Sequence, residues 1–128
     1  MASTETKTGT KAGTKDHPIR IEPNPHRVRV RLGERIIVDT TRALTLFEAS
    51  YPGVQYVPRA DADMSLLTRT ERSTHCPYKG DAAYYTINAD GRTAENAVWT
   101  YERPFPGVAE IAEYLAFYPN KVEITEER

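Results

Sequence analysis

The segment "AAYYTINADGRTAENAVWTY", residues 82–101, contains the strongest hairpin signal in the chain. Asp90-Gly91 lies at its centre, and this dipeptide favours a type I′ turn because both central residues of that turn need a positive φ. The flanking residues are rich in the aromatic and β-branched types that are common in strands. The segment therefore predicts two antiparallel strands joined by a two-residue turn.

The pairing across this hairpin follows from the turn if Ala89 pairs with Arg92. A small residue is then opposite a large aromatic one in three pairs on one face: Tyr84 with Ala97, Ala82 with Trp99, and Gly80 with Tyr101. Tyr78 continues the same face, since every second residue of a strand points the same way. The pattern predicts a sheet face on which small residues leave a shallow recess walled by aromatic rings.

Strand patterns dominate the rest of the chain from His17 onward. "RVRVRLGERIIVD" (27–39) alternates arginine with apolar residues and has Gly33-Glu34 where a tight turn would fall. The stripe formed by Arg27, Arg29 and Arg31 predicts a solvated strand face, which at a sheet edge would also discourage aggregation. "VQYVPR" (54–59) is typical of a strand that ends at its proline.

Two short helices are expected among these strands. "TTRALTLFEASYPG" (40–53) allows one that would turn Glu48 to solvent and Tyr51 to the core, and Val108 to Ala112 allows the other. Residues 60–77 are polar and predict an irregular segment, while "YLAFY" and "KVEIT" predict a closing strand pair. The expected fold is mainly β, a β-rich α+β domain with six or seven mostly antiparallel strands.

Composition divides the chain into two parts. Residues 1–16 carry no large apolar side chain except Met1, so they predict a disordered tail, and residues 17–128 a single β-rich domain. The tail lacks the apolar run of an export signal, and no segment has the length of a membrane span. A cytoplasmic protein that does not bind membranes is expected.

Charge and cysteine content exclude several classes of function. Seventeen basic and eighteen acidic residues are interspersed, with a net charge of −1, so a nucleic-acid partner is not expected. The single cysteine excludes an internal disulfide and a cysteine-based zinc site. No cofactor is indicated, and a homodimer through a sheet edge would suit a domain of this size.

Five segments occur in an order that is characteristic of one family: "HPIRIEPNPHRVRV", "ALTLFEASYPGVQYVPRAD", "THCPYKGDAAYY", "NAVWTYERPFPGV" and "IAEYLAFYPNKV". Through these segments the chain resembles the bacterial family catalogued as domain of unknown function 427, sometimes labelled nucleotidyltransferase-like. The resemblance extends from about His17 to about Val122. The resemblance implies two antiparallel sheets in a tent-like, Mss4-like arrangement. It implies no established reaction, cofactor or catalytic residue.

The best functional hypothesis from the residues is a recess for a small polar or anionic ligand. Cationic donors beside aromatic faces suit such ligands. Six residues form the predicted site: Arg59, His75, Tyr78, Lys79, Trp99 and Tyr101. The alternative is a structural or protein-interaction module in which arginine pairs at the surface and the aromatic residues only build the core.

Enzymatic alternatives rest on weaker patterns. Cys76 is a candidate nucleophile with His75 as its base, but neighbours on an extended chain point to opposite faces, so burial of the thiol is favoured. Asp61 and Asp63 are weak candidate ligands of a metal ion for nucleotidyl transfer, although no phosphate loop precedes them. The three histidines have no recognised metal-binding spacing.

Overall fold

The computed structural model describes residues 10–128. Strands account for most of these residues: β1 Thr10–Thr14, β2 His17–Asn24, β3 Arg27–Leu32, β4 Arg35–Thr40, β5 Ala43–Glu48, β6 Val54–Tyr56, β7 Leu67–Cys76, β8 Gly80–Ala89, β9 Arg92–Tyr101, β10 Leu115–Phe117 and β11 Glu123–Glu127. Three short 3₁₀ helices accompany them: Arg59–Asp61, Met64–Leu66 and Pro106–Ile111.

The strands form three antiparallel sheets, with the orders β1-β2-β5-β6, β10-β9-β8-β7 and β11-β3-β4. The mainly β, antiparallel fold class is thereby confirmed. The chain has more strands than the six or seven expected and three sheets where two were expected, because several polar segments also join the sheets through their main chains.

The hairpin of β8 and β9 has the predicted turn and a different register beyond it. Ala89 pairs with Arg92, and Asp90 and Gly91 have φ values of 54° and 79°. Past Ile87 the register shifts, so that Tyr84 is opposite Trp99 rather than Ala97. The shift occurs where Asn96 has φ of 49° and its N–H donates to Thr86 Oγ1, which places extra residues on β9.

The predicted partners of Ala82 and Tyr84 were therefore wrong by two residues. A shift of two keeps every side chain on its expected face, because side chains alternate with a period of two. Ala82 now lies opposite Tyr101. The predicted aromatic face of the hairpin thus survives the error in register.

Two apolar clusters lie on the two faces of this hairpin. Tyr85, Ile87 and Val98 pack with residues of β3 and β4. Tyr84 and Tyr101, on the other face, pack with Ile19, Ile21 and Leu46 of the first sheet. The second cluster is the one that surrounds the candidate site.

The helix predicted within residues 40–53 is wrong. This segment forms β5, which pairs with β2 on one edge and β6 on the other, and these ladders satisfy its main-chain groups. As a consequence Glu48 is half-buried, whereas Tyr51 is 65% exposed. The expected orientations, with Glu48 toward solvent and Tyr51 toward the core, are therefore both wrong.

Two other expectations are corrected, and the strand with the arginine stripe does not lie at a sheet edge. The last two strands do not pair with each other, since β10 pairs with β9 and β11 with β3. The polar residues 67–76 form β7 at the edge of the hairpin sheet rather than an irregular segment. The strand that carries the arginine stripe is central in its sheet, where Arg27 and Arg29 form ion pairs with Asp39.

The predicted tail extends too far along the chain. Its first nine residues lie outside those that the structure describes, but residues 10–14 form β1 and pair with β2. Main-chain pairing of this kind needs no apolar side chain, so composition does not reveal it. Within residues 10–128, no helix has the length and apolar character needed to span a membrane.

Candidate functional site

A cleft of about 230 Å³ opens on the face of the hairpin that carries Tyr84. We call it the tyrosine cleft because its wall is made of five aromatic side chains: Tyr56, Tyr84, Trp99, Tyr101 and Tyr118. Strands β5 and β6 of the first sheet supply the opposite wall through Leu46 and Val54. The cleft therefore lies between two sheets.

Alternation along the hairpin explains the three aromatic side chains of the cleft that β8 and β9 contribute. Tyr84 lies directly opposite Trp99, and the small Ala82 lies opposite Tyr101. The side chain of Trp99 is fixed by a hydrogen bond, since its Nε1–H donates to the hydroxyl of Tyr56 at 3.1 Å. The rings of Trp99 and Tyr118 are also in contact, with centroids 4.6 Å apart.

A buried ion pair forms the polar end of the cleft. The Lys79 side chain is only 8% exposed, and its ammonium donates to Glu48 Oε1 at 2.5 Å. The same ammonium lies 5.9 Å from the centroid of the Tyr101 ring. A buried ammonium needs such partners, because burial without them would favour its neutral form.

The second oxygen of Glu48 extends this network. Glu48 Oε2 is 2.7 Å from Nε2 of His17, whose ring stacks on Tyr78 with centroids 4.0 Å apart. Burial raises the pKa of the Glu48 carboxyl, but the hydrogen bonds with Lys79 and His17 outweigh burial and lower that pKa below its ordinary value of 4.5. Glu48 is therefore ionised at neutral pH.

The lowered pKa of Glu48 predicts an acid-dependent stability. The ionised carboxylate stabilises the fold above its ordinary pKa, and this contribution is lost as the pH falls through the lower pKa of the folded state. Glu48→Gln is therefore expected to lower the free energy of unfolding by about 2 kcal/mol at pH 7 and by progressively less below about pH 4. Urea titrations at several pH values would measure both.

The matched control for this prediction is Glu123→Gln. Glu123 is exposed on β11 and has no ion-pair partner among residues 10–128, so its substitution should have little effect at any pH. A loss in Glu48→Gln that is equally large at pH 3 and pH 7 would contradict the role given to the carboxylate charge.

Three of the four tyrosine hydroxyl groups that line the cleft are held in their protonated form. Burial raises the pKa of Tyr56 and of Tyr101. Burial and the hydrogen bond with Tyr84 raise the pKa of Tyr118 to about 12. Among the described residues the Tyr101 hydroxyl has no hydrogen-bond partner, although the residue is only 6% exposed. The Tyr101 hydroxyl can therefore donate a hydrogen bond to a molecule bound in the cleft.

The predicted site residues divide between several places. Lys79, Trp99 and Tyr101 line the tyrosine cleft. Tyr78 lies beside it against His17, and His75 is exposed with its Nδ1 2.7 Å from Asp81 Oδ1. The histidine is thus held by a carboxylate outside the cleft.

Arg59 lies on the opposite face of the hairpin. Its guanidinium donates to the hydroxyl of Tyr85 at 3.1 Å and forms an ion pair with Glu113. Tyr84 and Tyr85 are adjacent on β8, so their side chains belong to different faces. The three cationic residues expected to converge therefore do not share a cleft.

The candidate nucleophile Cys76 and the candidate metal ligands Asp61 and Asp63 do not line the tyrosine cleft. Cys76 ends β7, is half-buried and packs against the aromatic cluster around Tyr84. Asp61 accepts hydrogen bonds from Thr40 and Arg42, and Asp63 caps the 3₁₀ helix that follows it. Within residues 10–128 no group of three or more metal-ligating side chains occurs.

Sequence reasoning missed Glu48, His17, Tyr56 and Tyr118. Glu48 was misplaced because β5 was predicted to be helical. A strand over residues 43–48 would have put Leu44, Leu46 and Glu48 on one face, which is the face that packs toward the cleft. That alternation would have placed Glu48 on the face of the cleft, although its contact with Lys79 depends on the packing of two sheets.

Comparison with known proteins gives a family and no activity. No curated protein matches the chain at a significant level. A family model described as Domain of unknown function (DUF427), which carries a nucleotidyltransferase label, matches residues 20–128. This match covers most of the chain and all of the residues that line the tyrosine cleft. The chain belongs to the DUF427 family.

Proposed function

We propose that the tyrosine cleft binds a small polar ligand that also has a planar or apolar part. The observation that carries this proposal is the buried pair of Lys79 and Glu48 at one end of a cleft whose walls are aromatic. Ligand sites combine apolar walls with a few fixed polar groups in this way. A cluster that only built the core would have no need of a buried ammonium.

Each part of the cleft has a distinct role in this proposal. The faces of Trp99 and Tyr118 contact the planar or apolar part of the ligand. The Lys79 ammonium and the Tyr101 hydroxyl donate hydrogen bonds to its polar atoms. Glu48 fixes the position of the ammonium, so the donor is already in place before the ligand arrives.

The catalytic alternatives have less support. Nucleotidyl transfer needs carboxylates free to hold a metal ion, whereas Asp61 is engaged by Arg42 and Thr40. A thiol mechanism needs a base that faces Cys76, whereas His75, its neighbour on β7, is exposed on the other face of the strand. Binding uses only groups that line the cleft.

Trp99 makes the proposal directly measurable. It is the only tryptophan of the chain, so its fluorescence reports on the cleft and on an apolar cavity that it also lines, and a variant at Tyr101, which lines only the cleft of the two, distinguishes them. We expect a thermal-shift screen of nucleotides, sugar phosphates and acyl carboxylates to yield compounds that raise the melting temperature and also change this fluorescence. Tyr101→Phe should weaken their binding by about fivefold, the effect of one lost hydrogen bond.

The matched control is Tyr51→Phe, which removes the hydroxyl of an exposed tyrosine outside the cleft. Its affinities should equal those of the unaltered protein. Compounds that stabilise the protein without any response of Trp99, or that bind the two variants equally, would show that the ligand site is elsewhere.

A further inference from the structure

The charge of the tyrosine cleft at its Lys79 end is balanced. Glu48 neutralises the ammonium through a direct hydrogen bond, so this end favours polar groups over anions. A preference for an anionic ligand would therefore have to come from another part of the cleft. The opposite end, at Tyr118, provides one.

A second depression of about 360 Å³ adjoins the cleft through Tyr118, which lines both. Its cationic side chains are Arg72 and Lys121, and Glu95 also lines it. We call it the cationic depression. Asn96 and Asn120 also line it and supply amide groups.

Arg72 is held in place without losing its charge. Its guanidinium carbon lies 4.9 Å from the centroid of the Tyr84 ring. Such a contact with an aromatic face orients a cation and does not neutralise it. Across residues 10–128, no carboxylate oxygen lies within ion-pair distance of Arg72.

Lys121 is likewise oriented by a neutral group. Its ammonium donates to the main-chain carbonyl of Glu95 at 2.6 Å. The Glu95 carboxylate forms no ion pair with either cation in the described chain, so two positive charges face one negative charge in the depression. The depression carries a net positive charge.

The Tyr84 phenol lies beside Arg72 and lines the tyrosine cleft. Burial raises the pKa of Tyr84, but hydrogen bonds with Thr74 and Tyr118 and the nearby Arg72 guanidinium outweigh burial and lower it. The oxygens of Tyr84 and Tyr118 are 3.4 Å apart. The Arg72 guanidinium contributes to this lowering, as a positive charge beside a phenol does.

We propose that Arg72 and Lys121 bind the anionic group, a phosphate or a carboxylate, of a ligand whose planar or apolar part lies in the tyrosine cleft. This inference rests on the proposed function and adds the charge of the ligand. A guanidinium presents two parallel N–H donors that match the oxygens of both anions. The ligand would extend along the Tyr118 ring, the wall that the two cavities share.

Four probes test the inference through the fluorescence of Trp99. Phenol carries only the ring, inorganic phosphate carries only the anion, and phenyl phosphate and benzoate carry both. We expect phenyl phosphate or benzoate to bind at least about tenfold more tightly than phenol, with an affinity that falls as salt is added. The tighter of the two identifies the anion.

Variants at Arg72 locate the anion. Arg72→Met should reduce the affinity of the preferred anionic probe to that of phenol, and Arg72→Lys should restore part of it. Arg103→Met is the control, because Arg103 is exposed and lines neither cavity. Melting curves of each variant verify that the fold is retained.

The outcomes separate the two proposals. If phenol binds and the anionic probes bind no better, the inference is overturned while the cleft remains a ligand site. If Arg72→Met and Arg103→Met bind the anionic probe equally, the anion site is not in the cationic depression. If none of the four probes changes the fluorescence of Trp99, the inference is overturned, and the thermal-shift screen with Tyr101→Phe decides the proposed function separately.

Discussion

Lys79→Met is expected to lower the free energy of unfolding by about 3 kcal/mol. Methionine fills much of the space of the lysine stem, so little packing is lost. The Glu48 carboxylate, however, would remain half-buried with only His17 as a partner. Removal of one member of a buried pair is costly for this reason, since the other charge is left without compensation. Urea unfolding at neutral pH would measure the loss.

Two comparisons distinguish the loss of the ion pair from a general effect of removing a lysine on the free energy of unfolding. Lys121→Met removes an exposed ammonium and should change the free energy of unfolding by less than about 0.5 kcal/mol. The double variant Lys79→Met with Glu48→Leu should be less damaging than Lys79→Met alone, because both charges leave the interior together. A loss in Lys79→Met as small as that in Lys121→Met would refute the buried pair.

The sequence predicts only one member of the interaction between Lys79 and Glu48. Lys79 is predicted as a cationic donor beside aromatic faces, and it does line the cleft. Its partner is 31 residues away on another sheet. That contact depends on β5 being a strand, and its local pattern of leucine and phenylalanine also suits a helix. Pairing with β2 and β6 makes this segment a strand, and the local sequence pattern contains no information about that pairing.

For the hairpin of β8 and β9, in contrast, the local sequence was enough to predict the strands. Asp90-Gly91 dictates its own turn through the positive φ of both residues, so a local signal was enough to locate β8 and β9. The register shift at Asn96 was not predictable, because asparagine is only one of several residues that adopt this conformation. The aromatic face was nevertheless predicted correctly, since a shift of two residues preserves the alternation.

Ile87→Ala is expected to lower the free energy of unfolding by about 3–4 kcal/mol. Ile87 is fully buried in the cluster between β8 and the β3–β4 hairpin, and it pairs with Ala94 just before the register shifts. Truncation would remove three carbons from a site whose neighbours are held by strand pairing on both sides, so the cavity could not collapse easily. Chemical denaturation would measure the loss.

The size of this effect also tests the register of the hairpin. Ile87 faces the interior only if the strand keeps its alternation through the shift, and a slip of one residue would turn it to solvent. Asn88→Ala is the matched control, because Asn88 is the next residue on the same strand, is exposed, and accepts a hydrogen bond only from Thr93 among side chains of the described residues. Its substitution should cost less than about 1 kcal/mol. If Ile87→Ala proved as mild as Asn88→Ala, β8 would have to present its other face to the core, and Tyr84 would then leave the cleft.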